Sequence, residues 1–386
     1  MKWTTLAALL ILGLAASASP SPRQTTNTLL VDVAPDHPRP YVLPRFKGRA
    51  IMLTKSDIVR FAITANSSGG AFSMVQHNGK TSGWTVARPH THERTHEHFY
   101  CSRGRVELWA RRNVTGGASE EARVASLGDY GSVPPGTIHT FQLIDPDSQL
   151  NHVFHPAGFE HLFAEFSIGE YESAVGSPYV PIADDPEPFG PLTPAIDAQL
   201  RSLDLIAAPE EEYKPRRDMI NGTAGDAGLA WHDGPNALPE DAAEPYFVAN
   251  NHGPAYLNAE AGYKVVQPLV TAAHTEGNFT MGTIIMSPKL DNETTTSVTL
   301  PHPFALELQE GQLIISVDGF ETVSLLQGDV FFVPADVGFS FHATVPFTKF
   351  MYMNGGGEGL DQVLLEKSIP WGFPAYPQHA GFQVAA

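Results

Sequence analysis

The segment RPHTHERTHEHFYC, residues 88–101, places four histidines and two glutamates within fourteen positions. In an extended strand alternate side chains project from the same face, so His90 and His92 point together. Glu97 has the opposite parity, and it can join them only if the chain turns or bulges between residues 93 and 95. The stretch therefore predicts two strand segments separated by a corner.

Beyond that corner, the alternation divides the side chains between two faces. Glu97, Phe99 and Cys101 share one face, and the small cysteine and the phenylalanine predict that this face points inward. His96 and His98 lie on the other face and are predicted to point outward or towards a rim. Cys101 is the chain's single cysteine, so it cannot form an intramolecular disulfide, and we expect a small buried apolar side chain.

A third imidazole is available in GDYGSVPPGTIHTFQL, residues 128–143. His139 alternates there with Phe141 and Leu143 on one predicted strand face. An isolated histidine on an apolar face is more often a hydrogen-bonded core residue than a ligand. Joined to the two imidazoles and the carboxylate of the first stretch, it would complete a site for copper, iron, nickel, manganese or zinc.

The C-terminal half repeats the layout of this region. SRGRVELWARRN followed by LGDYGSVPPGTIHTF has the same order of turn glycine, strand, Gly-Asp and proline as QEGQLIISVDG followed by QGDVFFVPADVGFSF. The matched landmarks are Gly104 with Gly311, Gly128 with Gly328, and Pro134 with Pro334. Counting from them puts non-ligating residues at the four ligand positions, namely Ser297, Thr299, Phe304 and Phe339. We therefore expect a duplicated β domain with one metal site, in the N-terminal copy.

Strand-like segments dominate two blocks, and this pattern predicts an all-β protein. The predicted organisation is an N-terminal β domain at 27–170, a connector at 171–245, a C-terminal β domain at 246–370 and a tail at 371–386. The connector is rich in Pro, Asp, Glu and Ala. It includes TPAIDAQLRSLDLI, which predicts a helix with Thr193 as its N-cap and Pro194 in its first turn.

The composition limits the classes of binding partner that we expect. The formal net charge is -18 and no basic cluster interrupts this acidity, which excludes nucleic acid and anionic membranes as expected partners. The N-terminus carries Lys2, an apolar run at 6–14 and small residues at Ala16 and Ala18, a pattern that predicts a secretion signal over residues 1–18. Five N-x-S/T sequons agree with export and predict glycosylation, at Asn66, Asn113, Asn221, Asn278 and Asn292.

Two motifs carry a family resemblance. His90, x, His92, four residues, Glu97, six residues and Gly104 resemble the first motif of the cupin superfamily, and Gly128-x5-Pro134-x-Gly136-x2-His139 resembles the second. The resemblance implies two jelly-roll barrels with the metal in the mouth of the first. Longer landmarks, including HEHFYC, DMINGTA, PYFVANNHGPAYLN and GYKVVQPLVTA, resemble the fungal quercetin 2,3-dioxygenases. That family consists of secreted, glycosylated bicupins with copper in the N-terminal barrel.

The resemblance implies a chemistry for the residues. A flavonol would lose its 3-hydroxyl proton to Glu97 and react with dioxygen, and its central ring would open to a depside and carbon monoxide. The three histidines would hold copper, with iron, nickel or manganese as alternatives. Phe99 and Phe141 would stack on the flat substrate, and further lining residues could be core instead, namely Leu150, Phe154 and Phe159.

Departures from the family concern the substrate. Val59 stands where the family has a tyrosine, and Val75 and His77 stand where a methionine and a threonine line its pocket. His77 is therefore open to three interpretations: a polar contact, an additional metal ligand or a solvated strand residue. Three other functions remain open: an oxalate-decarboxylase-like enzyme, another cupin dioxygenase, and a non-enzymatic ligand-binding cupin. A homodimer is also left open, since no sequence feature decides it.

Overall fold

The computed structural model describes residues 27–80, 85–114, 119–178, 188–209, 213–225, 230–372 and 376–377. Within these residues the chain forms antiparallel strands and four short α-helices, which confirms the all-β prediction. No helix of the described part is long and apolar enough to cross a membrane. The predicted signal at 1–18 and most of the tail lie outside the described residues.

In the described part, the N-terminal half contributes twelve strands and two helices, in chain order β1 Tyr41–Leu43, β2 Ala50–Met52, β3 Ile58–Ile63, α1 Ala65–Ser68, β4 Ser73–Gly79, β5 His90–Thr91, β6 His96–Arg103, β7 Val106–Arg112, β8 Glu121–Ala125, β9 Tyr130–Val133, β10 Thr137–Leu143, β11 Ser148–His155, α2 His161–Glu165 and β12 Gly169–Glu170.

The remaining elements are α3 Pro194–Ser202, β13 Ile206–Ala207, β14 Thr223–Ala224, β15 Tyr246–Val248, β16 Tyr256–Asn258, β17 Lys264–Val270, the 3-10 helix Ala272–Thr275, β18 Thr280–Met286, β19 Phe304–Glu310, β20 Leu313–Val317, β21 Val323–Leu325, β22 Val330–Val333, β23 Phe339–Ala343, β24 Thr348–Asn354, α4 Leu360–Leu365 and β25 Ser368–Pro370.

Each half packs a larger sheet against a smaller one. In the first barrel the order β12-β2-β3-β4-β11-β6-β9-β15 faces β13-β5-β10-β7-β8-β14. In the second barrel β1-β22-β19-β24-β18-β17-β16-β25 faces β21-β20-β23. Apolar side chains of both sheets fill the space between them in each barrel, as expected for a jelly roll.

The barrels exchange a strand. Strand β1, near the N-terminus, pairs with β22 of the second barrel, and β15, after the connector, pairs with β9 of the first. Each large sheet therefore includes one strand from beyond its own segment of the chain. The domain boundaries predicted at residues 170 and 246 divide the chain by sequence position. The strand exchange does not test them, and they stay predictions.

The connector helix confirms its predicted start. The hydroxyl of Thr193 accepts a hydrogen bond from the backbone N–H of Ile196 at 3.2 Å, and Pro194 occupies the first turn. The helix ends at Ser202, and its buried Leu200 packs beside α2. The helix thereby anchors the residues that follow it, including Asp204, next to the first barrel.

His96 and His98 lie on the outer face of β6, as predicted, but they are not exposed. Both are buried, because their face of β6 packs against the second barrel. His98 stacks on Phe279 with ring centroids 5.1 Å apart, and its Nδ1 hydrogen-bonds the Tyr130 hydroxyl at 2.8 Å. The sequence pattern located the inner face correctly. It could not reveal that the opposite face is covered by a second domain.

The second barrel corrects two of the predicted counterparts of the metal ligands. His90 pairs with His139 across β5 and β10, and the same ladder position in the second barrel pairs Val298 with Phe339. The backbone bond from Gly136 N–H to His92 C=O is likewise matched by Asp336 N–H to Leu300 C=O. The true counterparts are Val298 and Leu300, rather than Ser297 and Thr299, because the corner before β19 is one residue shorter.

The equivalent of the metal site is therefore packed with apolar side chains. Phe304 stands opposite Val333, as Glu97 stands opposite Val133, so the counterpart of Glu97 was predicted correctly. Phe304 and Phe339 stack with ring centroids 5.3 Å apart. Leu300 belongs to the same core cluster and Val298 packs against it. In the second barrel, buried apolar side chains occupy the position of the metal ligands and stabilise the fold by the hydrophobic effect.

Candidate metal centre

The corner between β5 and β6 brings Glu97 to the two histidines that precede it. The chain leaves the strand at residues 92–95, as the sequence predicted. Asp204 holds this corner: its carboxylate accepts hydrogen bonds from the N–H groups of Glu93, Arg94 and Thr95 at 3.0, 3.2 and 3.0 Å. The side chain thus satisfies three backbone donors that the strand ladder has released.

Four ligand atoms converge inside the first barrel. One atom from each of the side chains lies within 4.8 Å of every other, and all four residues are buried, namely His90, His92, Glu97 and His139. Oε2 of Glu97 lies 3.1 Å from Nε2 of His92 and 2.9 Å from Nε2 of His139. The centroids of the His90 and His139 rings are 4.2 Å apart. All four predicted metal ligands therefore meet at one point.

Backbone carbonyls fix the tautomer of each predicted histidine ligand. Nδ1 of His90 contacts the Arg88 carbonyl at 2.7 Å, Nδ1 of His92 the Asp204 carbonyl at 2.7 Å, and Nδ1 of His139 the Thr137 carbonyl at 3.0 Å. Because a carbonyl oxygen can only accept, each Nδ1 carries the proton and each Nε2 presents a lone pair.

A cation fits this arrangement. Lone pairs on the Nε2 atoms of His92 and His139 face the Glu97 carboxylate at about hydrogen-bond distance, and a metal ion between them would turn that repulsion into coordination. Three neutral imidazoles and one carboxylate form a donor set for a borderline divalent metal. Among the described residues, this is the one cluster of its kind.

Burial and hydrogen bonding keep the donors in the form that binds metal. Burial lowers the pKa of His90 well below its ordinary value and also lowers the pKa of His139, so both imidazoles are neutral at pH 7. Burial alone would raise the pKa of Glu97, but its close contacts with the imidazoles of His139, His152 and His92 outweigh this effect and hold that pKa well below the usual range. The carboxylate is therefore ionised.

Comparison with known proteins places the chain in a family. No family model matches it. It is 37% identical over 354 residues to quercetin 2,3-dioxygenase of Aspergillus japonicus, a match that covers 91% of this chain and 99% of the relative. The chain belongs to the quercetin 2,3-dioxygenase family. Quercetin 2,3-dioxygenase of Bacillus subtilis (strain 168) is 26% identical over 331 residues, covering 84% of this chain and 85% of that protein.

Among solved structures, oxalate decarboxylase of Lactobacillus farciminis aligns over 81% of this chain and 85% of its own, with a TM-score of 0.47 and 12% identity. Membership of the quercetin 2,3-dioxygenase family rests on the sequence relatives.

One histidine of the centre was not predicted from the sequence. His152, on β11, donates from Nδ1 to Oε1 of Glu97 at 2.7 Å, so the carboxylate has one oxygen towards the metal ligands and the other held by His152. The signal was weak, because His152 is one of two histidines in the strand SQLNHVFH and belongs to no motif. Since Nδ1 donates, Nε2 of His152 is an acceptor, and it has no hydrogen-bond partner among the described residues.

His77 is not a solvated strand residue. It is completely buried, and neither of its ring nitrogens has a hydrogen-bond partner in the described part of the chain. Its ring lies 5.5 Å from that of His152 and meets Phe141 edge-on at 5.6 Å. Burial lowers the pKa of His77 well below its ordinary value, so the ring is neutral, with one donor and one acceptor.

A small cavity adjoins the predicted ligands, and we call it the metal-side cavity. Its volume is about 20 Å³, and its wall includes His77, His90, Glu97, His152 and Phe141, with Phe159, Leu162 and Phe163 closing it.

Only some of the predicted substrate contacts line the metal-side cavity. Phe141 and Phe159 form part of the wall. Phe99 lies behind it, packed against His152 with ring centroids 5.1 Å apart. Leu150 is buried in the barrel core, while Phe154 packs against Phe159 at 4.9 Å. Val59 and Val75 are buried in the cluster that surrounds α2.

Proposed function

We propose that this protein cleaves the central ring of a flavonol such as quercetin with dioxygen and releases a depside and carbon monoxide. Support comes from family membership and, above all, from the convergence of His90, His92, His139 and Glu97 within 4.8 Å in one barrel. The reaction balances: dioxygen adds across the ring, two ring carbon–carbon bonds break, and the carbon between them leaves as carbon monoxide.

Copper is the proposed metal, with iron, nickel and manganese as alternatives. Copper stands highest in the order of divalent affinities for nitrogen and oxygen donors, and three imidazoles with one carboxylate suit it. When bound, the metal supplies Lewis acidity towards the flavonol oxygens and a redox centre for dioxygen. His90, His92 and His139 would hold it through Nε2, because their Nδ1 atoms are committed to carbonyl groups.

Glu97 is the proposed general base. Its ionised carboxylate adjoins the metal-side cavity and can accept the 3-hydroxyl proton of a flavonol bound there. The hydrogen bond from His152 holds Oε1 while Oε2 stays with the metal ligands. A carboxylate anchored at one oxygen can receive the proton with little rearrangement, which reduces the reorganisation that the reaction requires.

His77 and His152 are the proposed polar contacts of the substrate. An unpaired buried polar group costs about 1–3 kcal/mol, and three nitrogens of these two rings have no partner among the described residues. The ring hydroxyls of a flavonol can donate to one nitrogen and accept from another. A polyhydroxylated flavonol would therefore satisfy groups that the protein leaves unpaired, within walls that are otherwise aromatic and aliphatic.

The metal-side cavity must enlarge to admit such a substrate. Its volume is about 20 Å³, whereas pockets for ligands of drug size enclose about 300–1,000 Å³. Phe159, Leu162 and Phe163 close the cavity from α2 and the turn before it. Outward movement of these side chains is the simplest way to open it, because α2 is only five residues long.

Export and glycosylation are part of the proposal. The predicted signal precedes the described residues, and all five sequon asparagines are exposed and accessible to glycan transfer: Asn66, Asn113, Asn221, Asn278 and Asn292.

The test is the oxygen-dependent loss of quercetin absorbance with release of carbon monoxide, measured on metal-analysed protein with anaerobic mixing as the blank. We expect wild type to carry one metal equivalent and to turn over. His139→Ala should lose both properties. The matched control is His342→Ala, which removes a partly buried histidine beside the counterpart site and should change neither. Metal-loaded protein that leaves every flavonol intact would favour an oxalate-decarboxylase-like or non-enzymatic cupin.

A further inference from the structure

The mouth of the second barrel keeps a cavity although the metal ligands are absent there. This second-barrel cavity has a volume of about 340 Å³, within the range of about 300–1,000 Å³ that is usual for small-molecule sites. Val298 and Phe341 line it, and β-sheet pairing makes them the counterparts of His90 and Phe141. It therefore occupies the position that the metal-side cavity has in the first barrel.

The inner wall of the second-barrel cavity is apolar. Met286, Phe341 and Leu360 are buried side chains of the core and present carbon surface to the cavity, together with the partly buried Val298. A ligand with a flat or compact apolar body would cover this surface and exclude water from it.

The rim of the cavity is cationic. Three of the nine lysines in the chain line it, Lys264, Lys289 and Lys367, in a protein of formal net charge -18. Among the described residues of the wall, Glu260 is the single acidic one, and its carboxylate pairs with Lys367 at 3.0 Å. The wall therefore carries a formal excess of two positive charges.

Within the described part of the chain, two of these lysines have N–H donors that make no hydrogen bond. Nζ of Lys264 donates to the Glu260 carbonyl at 2.6 Å and more weakly to the Ala261 carbonyl at 3.4 Å, and Nζ of Lys289 has the Leu290 carbonyl at 3.4 Å. An ammonium group has three N–H donors. Lys264 is also largely buried, and burial lowers its pKa to about 8. A buried ammonium group whose hydrogen bonds go to neutral carbonyls attracts an anion more strongly than an exposed one.

Hydroxyl groups complete the rim. Thr295 and Thr299 line the cavity and can donate to a carboxylate without adding charge, while the hydroxyl of Ser297 donates to the Phe339 carbonyl at 3.4 Å. The pKa of His342 is lowered by burial and by the charge of nearby Lys289, so the imidazole is neutral at pH 7.

We propose that the second-barrel cavity binds a small organic carboxylate with an apolar body, of the size and character of a benzoate. The ring would lie against Phe341 and Val298, and the carboxylate would accept hydrogen bonds from Lys264 and Lys289. The two parts of the wall match the two parts of this ligand class. The inference is independent of the proposed flavonol cleavage, because it uses residues of the other barrel.

The experiment is a benzoate titration of the metal-loaded full chain, followed by thermal unfolding and calorimetry, with uncharged benzyl alcohol in parallel. We expect benzoate to raise the unfolding temperature with half-saturation below about 1 mM, and benzyl alcohol to bind at least about tenfold more weakly. Lys289→Met should weaken benzoate about tenfold. Lys47→Met removes an exposed lysine that pairs with Asp32 and does not line the cavity, and it is the charge-matched control.

A second variant keeps the charges and removes the space. Val298→Phe should abolish benzoate binding while its own folding is checked by the unfolding transition without ligand. Three results would overturn the proposal: no benzoate effect at about ten times the expected half-saturation, unchanged affinity in both variants, or loss of binding on metal chelation. The last result would place benzoate at the first barrel. None of these measurements depends on flavonol turnover.

Discussion

Asp204 accepts two hydrogen bonds from Thr95, one from the backbone N–H at 3.0 Å and one from the hydroxyl group at 2.8 Å. Thr95 lies at the end of the corner that brings Glu97 to the metal ligands, whereas Asp204 follows a helix more than a hundred residues later. The connector thus completes the metal centre of the first barrel, and it also provides the carbonyl that orients His92.

This relationship predicts that Asp204→Ala weakens metal binding more than it weakens folding. The variant leaves the corner N–H groups without an acceptor, so Glu97 and His92 lose their fixed positions. Loss of such supporting contacts typically costs about 10–100-fold in metal affinity, and we expect a loss in that range. Competition with a chelator measures it. Asp197→Ala on α3, which removes a partly exposed carboxylate paired with Arg201, is the control, and equal affinities in the two variants would contradict the role of Asp204.

His152 is predicted to position Glu97 rather than to hold the metal. His152→Phe removes the donor to Oε1, so the carboxylate gains freedom, and we expect kcat on quercetin to fall about 10–100-fold while one equivalent of metal is retained. His152→Gln restores an N–H donor and should recover part of kcat. Loss of the metal from His152→Phe, or no recovery in the glutamine variant, would argue against positioning.

His77 is predicted to set the preference for hydroxylated flavonols. His77→Leu removes both unpaired ring nitrogens from the metal-side cavity. A site that hydrogen-bonds a substrate hydroxyl discriminates against substrates without that hydroxyl, and it loses this discrimination when the hydrogen-bonding side chain is removed. We expect kcat/KM for quercetin to fall about tenfold or more, and kcat/KM for 3-hydroxyflavone, which carries only the 3-hydroxyl, to stay within about twofold. A parallel fall for both substrates would assign His77 to the metal centre instead.

Glu307 is predicted to make stability fall as pH rises. It lies between the barrels, where it accepts hydrogen bonds from Gln76 at 2.9 Å and from Asn151, and burial raises its pKa to about 7 from an ordinary 4.5. Between these two values the folded protein binds more protons than the unfolded chain. The free energy of unfolding that Glu307 contributes is therefore present in full below pH 4.5 and is lost as pH rises through about 7.

Glu307→Gln provides the measurement for that effect. The variant keeps the shape and cannot titrate, so the difference in unfolding temperature between wild type and variant should change between about pH 5 and 8, with wild type losing stability relative to the variant. Buried histidines contribute the opposite slope, and they cancel in this difference because both proteins contain them. A difference that is independent of pH would show that Glu307 is ionised in the folded protein.

The metal ligands could be predicted from the sequence because their information is local. Strand alternation places His90 and His92 on one face, and the parity of Glu97 requires a corner before it. His139 belongs to a later strand segment whose layout is repeated in the C-terminal half of the chain. The inward direction of Phe99 and Cys101 followed from the same alternation. The helix at Pro194 followed from its capping threonine, since a cap is satisfied by residues three positions away.

The contacts between segments that are distant along the chain became visible only in the folded structure. Three such contacts have no recognisable sequence pattern, because each joins a residue outside any motif to a site far along the chain. They are the contact of Asp204 with the corner, the hydrogen bond of His152 to the second oxygen of Glu97, and the packing of the second barrel over His98. The one-residue shortening that aligns Val298 with His90 was hidden for the same reason. Counting along a chain assumes equal loop lengths, whereas hydrogen bonds between strands fix the register in space.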